Sequence, residues 1–141
     1  MTFDPKEKAL LGALADVLIP AGEGFPSASE AGVAAEGLEN ILSFRPDLAA
    51  GLKKLLASAT GRPAAQVVAE LQQRDPAGFS ILAEFVPGAY FLNPTVRAKL
   101  GYHGQGAHPI DPRADYLDDG LLQSVLDRGP IYRPTPGKEQ S

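Results

Sequence analysis

The strongest constraint on the fold is a helix-start signal, an Asp or Asn followed by Pro, that precedes three of the predicted helices. Asp or Asn is followed directly by Pro at positions 4–5, 75–76 and 93–94. The side chain of the first residue can accept hydrogen bonds from the free N–H groups of a first helical turn. Pro suits the next position because the N–H that it lacks would have no partner there. Each pair therefore predicts the beginning of an α-helix.

Apolar residues recur at helical spacing after these signals. In the first helix, Glu7 completes a capping-box spacing with Asp4, and an apolar stripe runs from Leu10 to Leu18. Four more helices are predicted from the Ser27 to Glu30 capping spacing, from Pro46, from Pro63 and over residues 117–126. Gly32 and Gly37 weaken the helix predicted after Ser27, which suggests close packing against a neighbour. Pro87 must kink or stop the helix that begins at Asp75.

These signals leave no alternating β-branched run and no internal repeat, and 141 residues suit one hydrophobic core. The sequence therefore predicts an all-α fold, a compact single-domain bundle of about five to seven short helices with a loop-rich C-terminal third. We expect a helical domain over residues 1–129. The proline-rich tail, residues 130–141, has little fold of its own and is expected to dock on a partner.

Charge and cysteine content exclude several classes of function. The chain has no cysteine and a net charge of −4, so disulfides, thiolate nucleophiles and cysteine zinc sites are absent, and nucleic-acid binding is not expected. No apolar run reaches about 18 residues, so we expect no membrane insertion. The N-terminus shows no secretory or twin-arginine signal, which predicts a cytoplasmic location, or a periplasmic one if a leader has been removed.

One loop has residues that could support chemistry. His103 and His108 flank a glycine-rich segment, and four acidic residues follow: Asp111, Asp115, Asp118 and Asp119. A small stand-alone enzyme or metal-binding protein using the two histidines is therefore one alternative. Their spacing of five is not the three or four that places two ligands on one helix face. The Gly-x-Gly pairs at 22–24 and 104–106 follow no strand, so we predict no catalytic, cofactor-binding or metal-binding residue.

Aromatic and proline residues lie outside the helical stripes, and such residues are enriched at the centres of protein interfaces. We predict that the chain contacts a partner through ten residues: Phe25, Pro26, Tyr90, Phe91, Tyr102, His103, Pro130, Ile131, Tyr132 and Arg133. Two alternatives stay open. The aromatic residues could instead close the core of a small domain, or the tail could dock on a second copy in a homo-oligomeric structural protein.

Three stretches together resemble the gluconate 2-dehydrogenase subunit 3 family, the small subunits of flavoprotein sugar and polyol dehydrogenases. The first stretch covers residues 14–20 (LADVLIP) and 25–33 (FPSASEAGV). The second covers residues 90–97 (YFLNPTVR) and 100–104 (LGYHG), and the third covers residues 128–133 (RGPIYR). Their order spans nearly the whole chain.

The resemblance implies a non-catalytic small subunit. In such complexes a large FAD-dependent dehydrogenase of the glucose-methanol-choline type holds the FAD and the catalytic histidines, and the small subunit binds and stabilises it. Electrons then pass to a cytochrome or another acceptor. The resemblance thus implies no catalysis by this chain alone, no cofactor in this chain, and a partner that oxidises a sugar, a glycoside or a related alcohol.

Overall fold

The computed structural model describes residues 2–106 and 120–131, and within them the protein is all-α. The seven helices of the described residues are α1 (Pro5–Leu18), α2 (Glu36–Phe44), α3 (Leu48–Ala59), α4 (Ala64–Arg74), α5 (Pro76–Leu92), α6 (Pro94–Lys99) and α7 (Gln123–Arg128). The described residues contain no β-strand, only one isolated bridge between Gly22 and Phe25. The predicted all-α bundle of about five to seven short helices is confirmed.

Contacts divide the chain into two compact units, Met1–Gly104 and Gln105–Ser141. The first unit contains α1 to α6, and the second contains α7. The predicted boundary between residues 129 and 130 stays a prediction, because tail residues 132–141 lie outside the described part of the chain. Within the described residues, no helix combines the length and the apolar character that crossing a bilayer requires.

Helix α5 is the centre of the first unit, where it packs against α1, α2, α3, α4 and α6. Its Leu82, Phe85 and Val86 are fully buried. The helix continues through Pro87 to Leu92, so Pro87 does not stop it. Burial of a side chain such as Phe85 contributes about 2–3 kcal/mol to folding, which offsets the hydrogen bond that proline cannot donate.

The three predicted helix starts at Asp–Pro and Asn–Pro pairs are all present. Asp4 and Glu7 form a full capping box, in which Asp4 Oδ1 accepts from the Glu7 N–H at 2.8 Å and Glu7 Oε2 accepts from the Asp4 N–H at 2.8 Å. Asp75 Oδ1 accepts from the Gly78 N–H at 2.9 Å. Asn93 Oδ1 accepts from the Thr95 N–H at 2.8 Å.

The prediction that the second helix begins near Ser27 is wrong, since α2 begins at Glu36. The capping bonds do form, because the Ser27 N–H donates to Glu30 Oε2 at 2.8 Å. The turn is then closed by Gly32, whose φ is +73°. The Val33 N–H reaches the Ala28 carbonyl and the Gly32 N–H reaches the Ser29 carbonyl, which is a Schellman ending. Residues 27–33 therefore form one closed turn and do not continue into a helix. They are called the capped turn below.

The last predicted helix also begins later than expected. Residues 120–122 form a turn in which Gly120 has φ +70°, and α7 begins only at Gln123. A residue with positive φ does not continue a right-handed helix, so the apolar pattern around Leu121 and Leu122 did not extend it. The start of that prediction, residues 117–119, lies outside the described residues.

Candidate partner-binding surface

The junction of α5 and α6 is organised by Asn93. Its Oδ1 accepts the Thr95 and Val96 N–H groups at 2.8 and 3.1 Å and so caps α6. Its Nδ2 donates at 2.9 Å to the Ala31 carbonyl, which belongs to the capped turn. One amide side chain thus fixes the junction and links it to a segment 62 residues earlier. Residues 90–102 are called the α5–α6 corner below.

Two further bonds hold the loop before the capped turn against this corner. The Tyr90 hydroxyl donates to the Pro26 carbonyl at 2.8 Å, and Lys99 Nζ donates to the Gly24 carbonyl at 2.6 Å. Tyr90 is buried, and desolvation raises the pKa of its phenol. Phe25 and Pro26 are half-buried. The structure therefore brings together Phe25, Pro26 and Tyr90, three of the predicted partner-binding residues.

A third attachment joins the capped turn to α1. Asp16 Oδ1 accepts from the Ser29 N–H at 2.7 Å, and its Oδ2 accepts from the Ser29 hydroxyl at 2.6 Å. Partial desolvation acts to raise the pKa of Asp16, but the hydrogen bonds from Ser29 outweigh it, and the pKa lies below its ordinary value. Both hydrogen bonds lie within residues 14–33. No role was predicted for Asp16 from the sequence.

The outer side of the corner exposes large apolar side chains. The exposed fractions are 52% for Phe91, 45% for Leu92, 51% for Leu100 and 53% for Tyr102. The Phe91 ring packs edge-on against Tyr90, with centroids 5.4 Å apart and an interplanar angle of 84°. Tyr90 and Phe91 are adjacent predicted residues with opposite environments. For Tyr90 the structure favours the alternative in which the aromatic residue closes the core.

Arg97 lies within the same corner. Its guanidinium carbon is 5.2 Å from the centre of the Tyr102 ring, within range of a cation–π contact. Its Nε atom is buried and has no hydrogen-bond partner among residues 2–106 and 120–131. Leu92, Arg97 and Leu100 were not predicted as site residues, because isolated residues carry no periodic signal.

An open groove of about 460 Å³ lies beside the corner. It is lined by Phe25 and Pro26 from the loop, by Glu30 and Ala31 from the capped turn, and by Asn93, Thr95 and Lys99 from the α5–α6 corner. The hydrogen bonds of Asn93 and Lys99 join the residues on its two sides. The groove is therefore a fixed feature of the first unit's surface.

The remaining predicted residues divide between described and undescribed positions. His103 is exposed, as are Pro130 and Ile131 in the second unit, where Ile131 is 74% exposed. Tyr132 and Arg133 lie outside the described residues, as do His108 and the aspartates at 111, 115, 118 and 119. In the described part of the chain, no three His, Cys, Asp or Glu residues group to hold a metal ion.

No protein family, curated protein or solved structure matches this chain. The family resemblance stated from residues 14–33, 90–104 and 128–133 therefore stays a prediction.

Proposed function

We propose that the chain is a non-catalytic small subunit that binds and stabilises a large FAD-dependent dehydrogenase of the glucose-methanol-choline type. The partner would hold the FAD and oxidise a sugar, a glycoside or a related alcohol. Electrons would then pass to a cytochrome or another acceptor. The proposal rests on the resemblance of the three stretches and on one structural observation, the exposed apolar side of the α5–α6 corner.

Some residues of the corner hold the surface in place, and others remain available to a partner. Tyr90, Asn93 and Lys99 use their polar groups on the loop and the capped turn. Phe91 and Tyr102 stay about half exposed beside them. Exposed apolar residues on a rigid support favour protein binding, because the surface needs little reorganisation and gains free energy when water leaves it.

Two of the three resembling stretches meet at this corner. Residues 25–33 supply the loop and the capped turn, and residues 90–104 supply the corner itself. The hydrogen bonds of Tyr90, Asn93 and Lys99 hold the two stretches together, as a binding surface built from both requires. The third stretch, residues 128–133, belongs to the second unit, and its Pro130 and Ile131 are exposed. The partner-binding role of this third stretch, including Tyr132 and Arg133, remains part of the proposal.

Affinity purification from the native cells tests the proposal. We expect the tagged full-length chain to recover a large protein with the absorbance spectrum of a flavin, identified by mass spectrometry. The variant Phe91→Ser/Tyr102→Ala should recover several-fold less of it. Phe44→Ser is the matched control, because Phe44 is a 75% exposed aromatic residue on α2. It should recover as much as the unmodified chain.

Recovery of a colourless chain without a flavoprotein would contradict the proposal. A mass that doubles as concentration rises, and that returns to the monomer in the double variant, would instead favour self-association through the same corner.

A further inference from the structure

We propose that Arg97 binds a carboxylate of the partner, so that the α5–α6 corner recognises an acidic segment of the dehydrogenase subunit. This inference rests on the proposed function, because it names the chemistry of the partner at the same surface.

The first argument is the unused hydrogen-bonding capacity of Arg97. A guanidinium carries five N–H donors, and Arg97 donates to no acceptor among residues 2–106 and 120–131. Its Nε is buried as well as unpaired there. A partner cannot reach the buried Nε, so its carboxylate would bind the terminal Nη1 and Nη2 groups, which also have no acceptor among those residues. Because the donors lie in one plane, a carboxylate can engage two of them at once.

The second argument is the position of the Tyr102 ring. The guanidinium carbon lies 5.2 Å from the ring centre, within the range of a cation–π contact. The ring also lowers the number of side-chain conformations that must be lost when the complex forms. Arg and Tyr are the residue types that most often dominate binding energy at interfaces. A lysine at this position would lack the planar group that binds a carboxylate through two parallel bonds.

The third argument is the charge of the surrounding sequence. The chain has a net charge of −4, yet residues 85–106 contain no Asp or Glu. The cationic side chains in that stretch are Arg97 and Lys99. Lys99 already donates to the Gly24 carbonyl, which leaves Arg97 to receive a partner's charge. A cationic side chain in a stretch without acidic residues is complementary to an acidic segment, and such complementarity fixes register and speeds association.

The test uses the purified flavoprotein that the tagged chain recovers, and measures its dissociation constant for the full-length chain and its variants. We expect Arg97→Gln to raise that constant at least about tenfold at low salt, as loss of a central interface Arg does. Arg97→Lys should recover only part of the affinity. The gap between the wild type and Arg97→Gln should narrow as added salt screens the charge.

Lys54→Gln is the matched control, because it removes the same charge from an exposed position on α3, and it should bind like the wild type. The melting temperature of each isolated variant is measured in parallel. Arg97→Gln should melt within about 2 °C of the wild type, because Arg97 has no hydrogen bond to lose among the described residues and its contact with Tyr102 is only half-buried.

Two results would overturn the inference while leaving the proposed subunit role intact. One is unchanged affinity of Arg97→Gln for a flavoprotein that is recovered normally. The other is a lower melting temperature of Arg97→Gln that is reproduced by Asp111→Asn, Asp115→Asn, Asp118→Asn or Asp119→Asn. The acceptor of Arg97 would then belong to this chain. Failure to recover any flavoprotein would instead contradict the proposed function itself.

Discussion

Tyr90 and Phe91 are adjacent in the chain, but Tyr90 is buried and Phe91 is exposed to solvent. Tyr90 is buried and donates its hydroxyl to the Pro26 carbonyl, 64 residues away. Phe91, the next residue of α5, remains about half exposed. Both are aromatic residues outside the apolar stripes, so the sequence placed them in one group. The burial of Tyr90 and its hydrogen bond to Pro26 become evident only in the folded structure. They distinguish Tyr90, which shapes the surface, from Phe91, which is available to a partner.

Tyr90→Phe should lower the free energy of unfolding by about 1 kcal/mol, because the Pro26 carbonyl loses its donor. The melting temperature should fall by about 4 °C. Tyr102→Phe is the matched control, since it removes the same atom from a half-exposed ring, and it should leave the melting temperature unchanged. Equal losses in both variants would show that the bond to Pro26 contributes nothing to stability.

Asp16 should make the attachment of the capped turn to α1 dependent on pH. Its pKa is lowered in the folded chain, because the hydrogen bonds from Ser29 outweigh desolvation. A carboxylate with a lowered pKa contributes stability above its unfolded pKa of about 3.9, and the contribution is lost as pH falls through the folded pKa.

Asp16→Ala should therefore lower the free energy of unfolding by about 1 kcal/mol at neutral pH, and by clearly less at about pH 3, near or below the unfolded value. Denaturant unfolding of both proteins at the two pH values measures this difference. Asp47 and Glu70, whose pKa values are also lowered, are present in both proteins and cancel. A deficit that grows at low pH would contradict the assigned role of Asp16.

At the scale of elements, the Asp–Pro and Asn–Pro pairs predicted helix starts better than the Ser27 capping spacing or the apolar pattern from residue 117 did. The caps at Asp4, Asp75 and Asn93 are all used as the sequence indicated. At Ser27 the same kind of signal produced one capped turn, because Gly32 adopts a positive φ and closes it. A glycine in a sequence does not show which conformation it takes. The bonds of Tyr90, Asn93 and Lys99 join segments more than 60 residues apart, which no local pattern encodes.

The two glycines that weaken the second predicted helix have different structural reasons. A Cβ on Gly37 would lie 3.0 Å from the Cβ of Ala89, so α2 and α5 approach closely there. This confirms the expected close packing for Gly37. A Cβ on Gly32 would meet nothing within 4 Å, so close packing is wrong for Gly32. Its backbone conformation is the reason for glycine at that position.

Gly32→Ala should lower the free energy of unfolding by about 1–2 kcal/mol, the cost of holding an L-residue in a left-handed conformation. Gly22→Ala is the matched control, because it adds the same methyl group in open space without a positive φ. It should be neutral or slightly stabilising. Chemical denaturation of both variants gives the comparison. A Gly32→Ala chain as stable as the wild type would mean that the capped turn does not need its left-handed ending.

At the scale of the whole molecule, the buried core and the exposed apolar residues have different roles. The described core runs from Phe3 to Val96 within the first unit. In the second unit α7 has no buried residue, and Leu121, Val125, Leu126 and Ile131 are all exposed. Under the proposed function, a partner would cover part of these exposed apolar side chains.

The all-α class could be predicted because helical periodicity and caps are local properties of the sequence. The location of the candidate surface could be predicted in part. Phe25, Pro26, Tyr90, Phe91 and Tyr102 do gather at one corner or beside it, but which of them are exposed depends on tertiary packing. Arg97 could not have been identified, since its unpaired Nε becomes evident only when its surroundings are known.

The most direct test of the central claim is whether the recovered flavoprotein depends on this chain. The large subunit is produced in the same cells with and without the full-length chain, and the soluble protein and its bound flavin are measured. The account predicts several-fold more soluble, flavin-loaded dehydrogenase when the chain is present, and a loss of that gain with Phe91→Ser/Tyr102→Ala. Equal amounts of flavin-loaded protein in its absence would contradict the claim that this chain stabilises its partner.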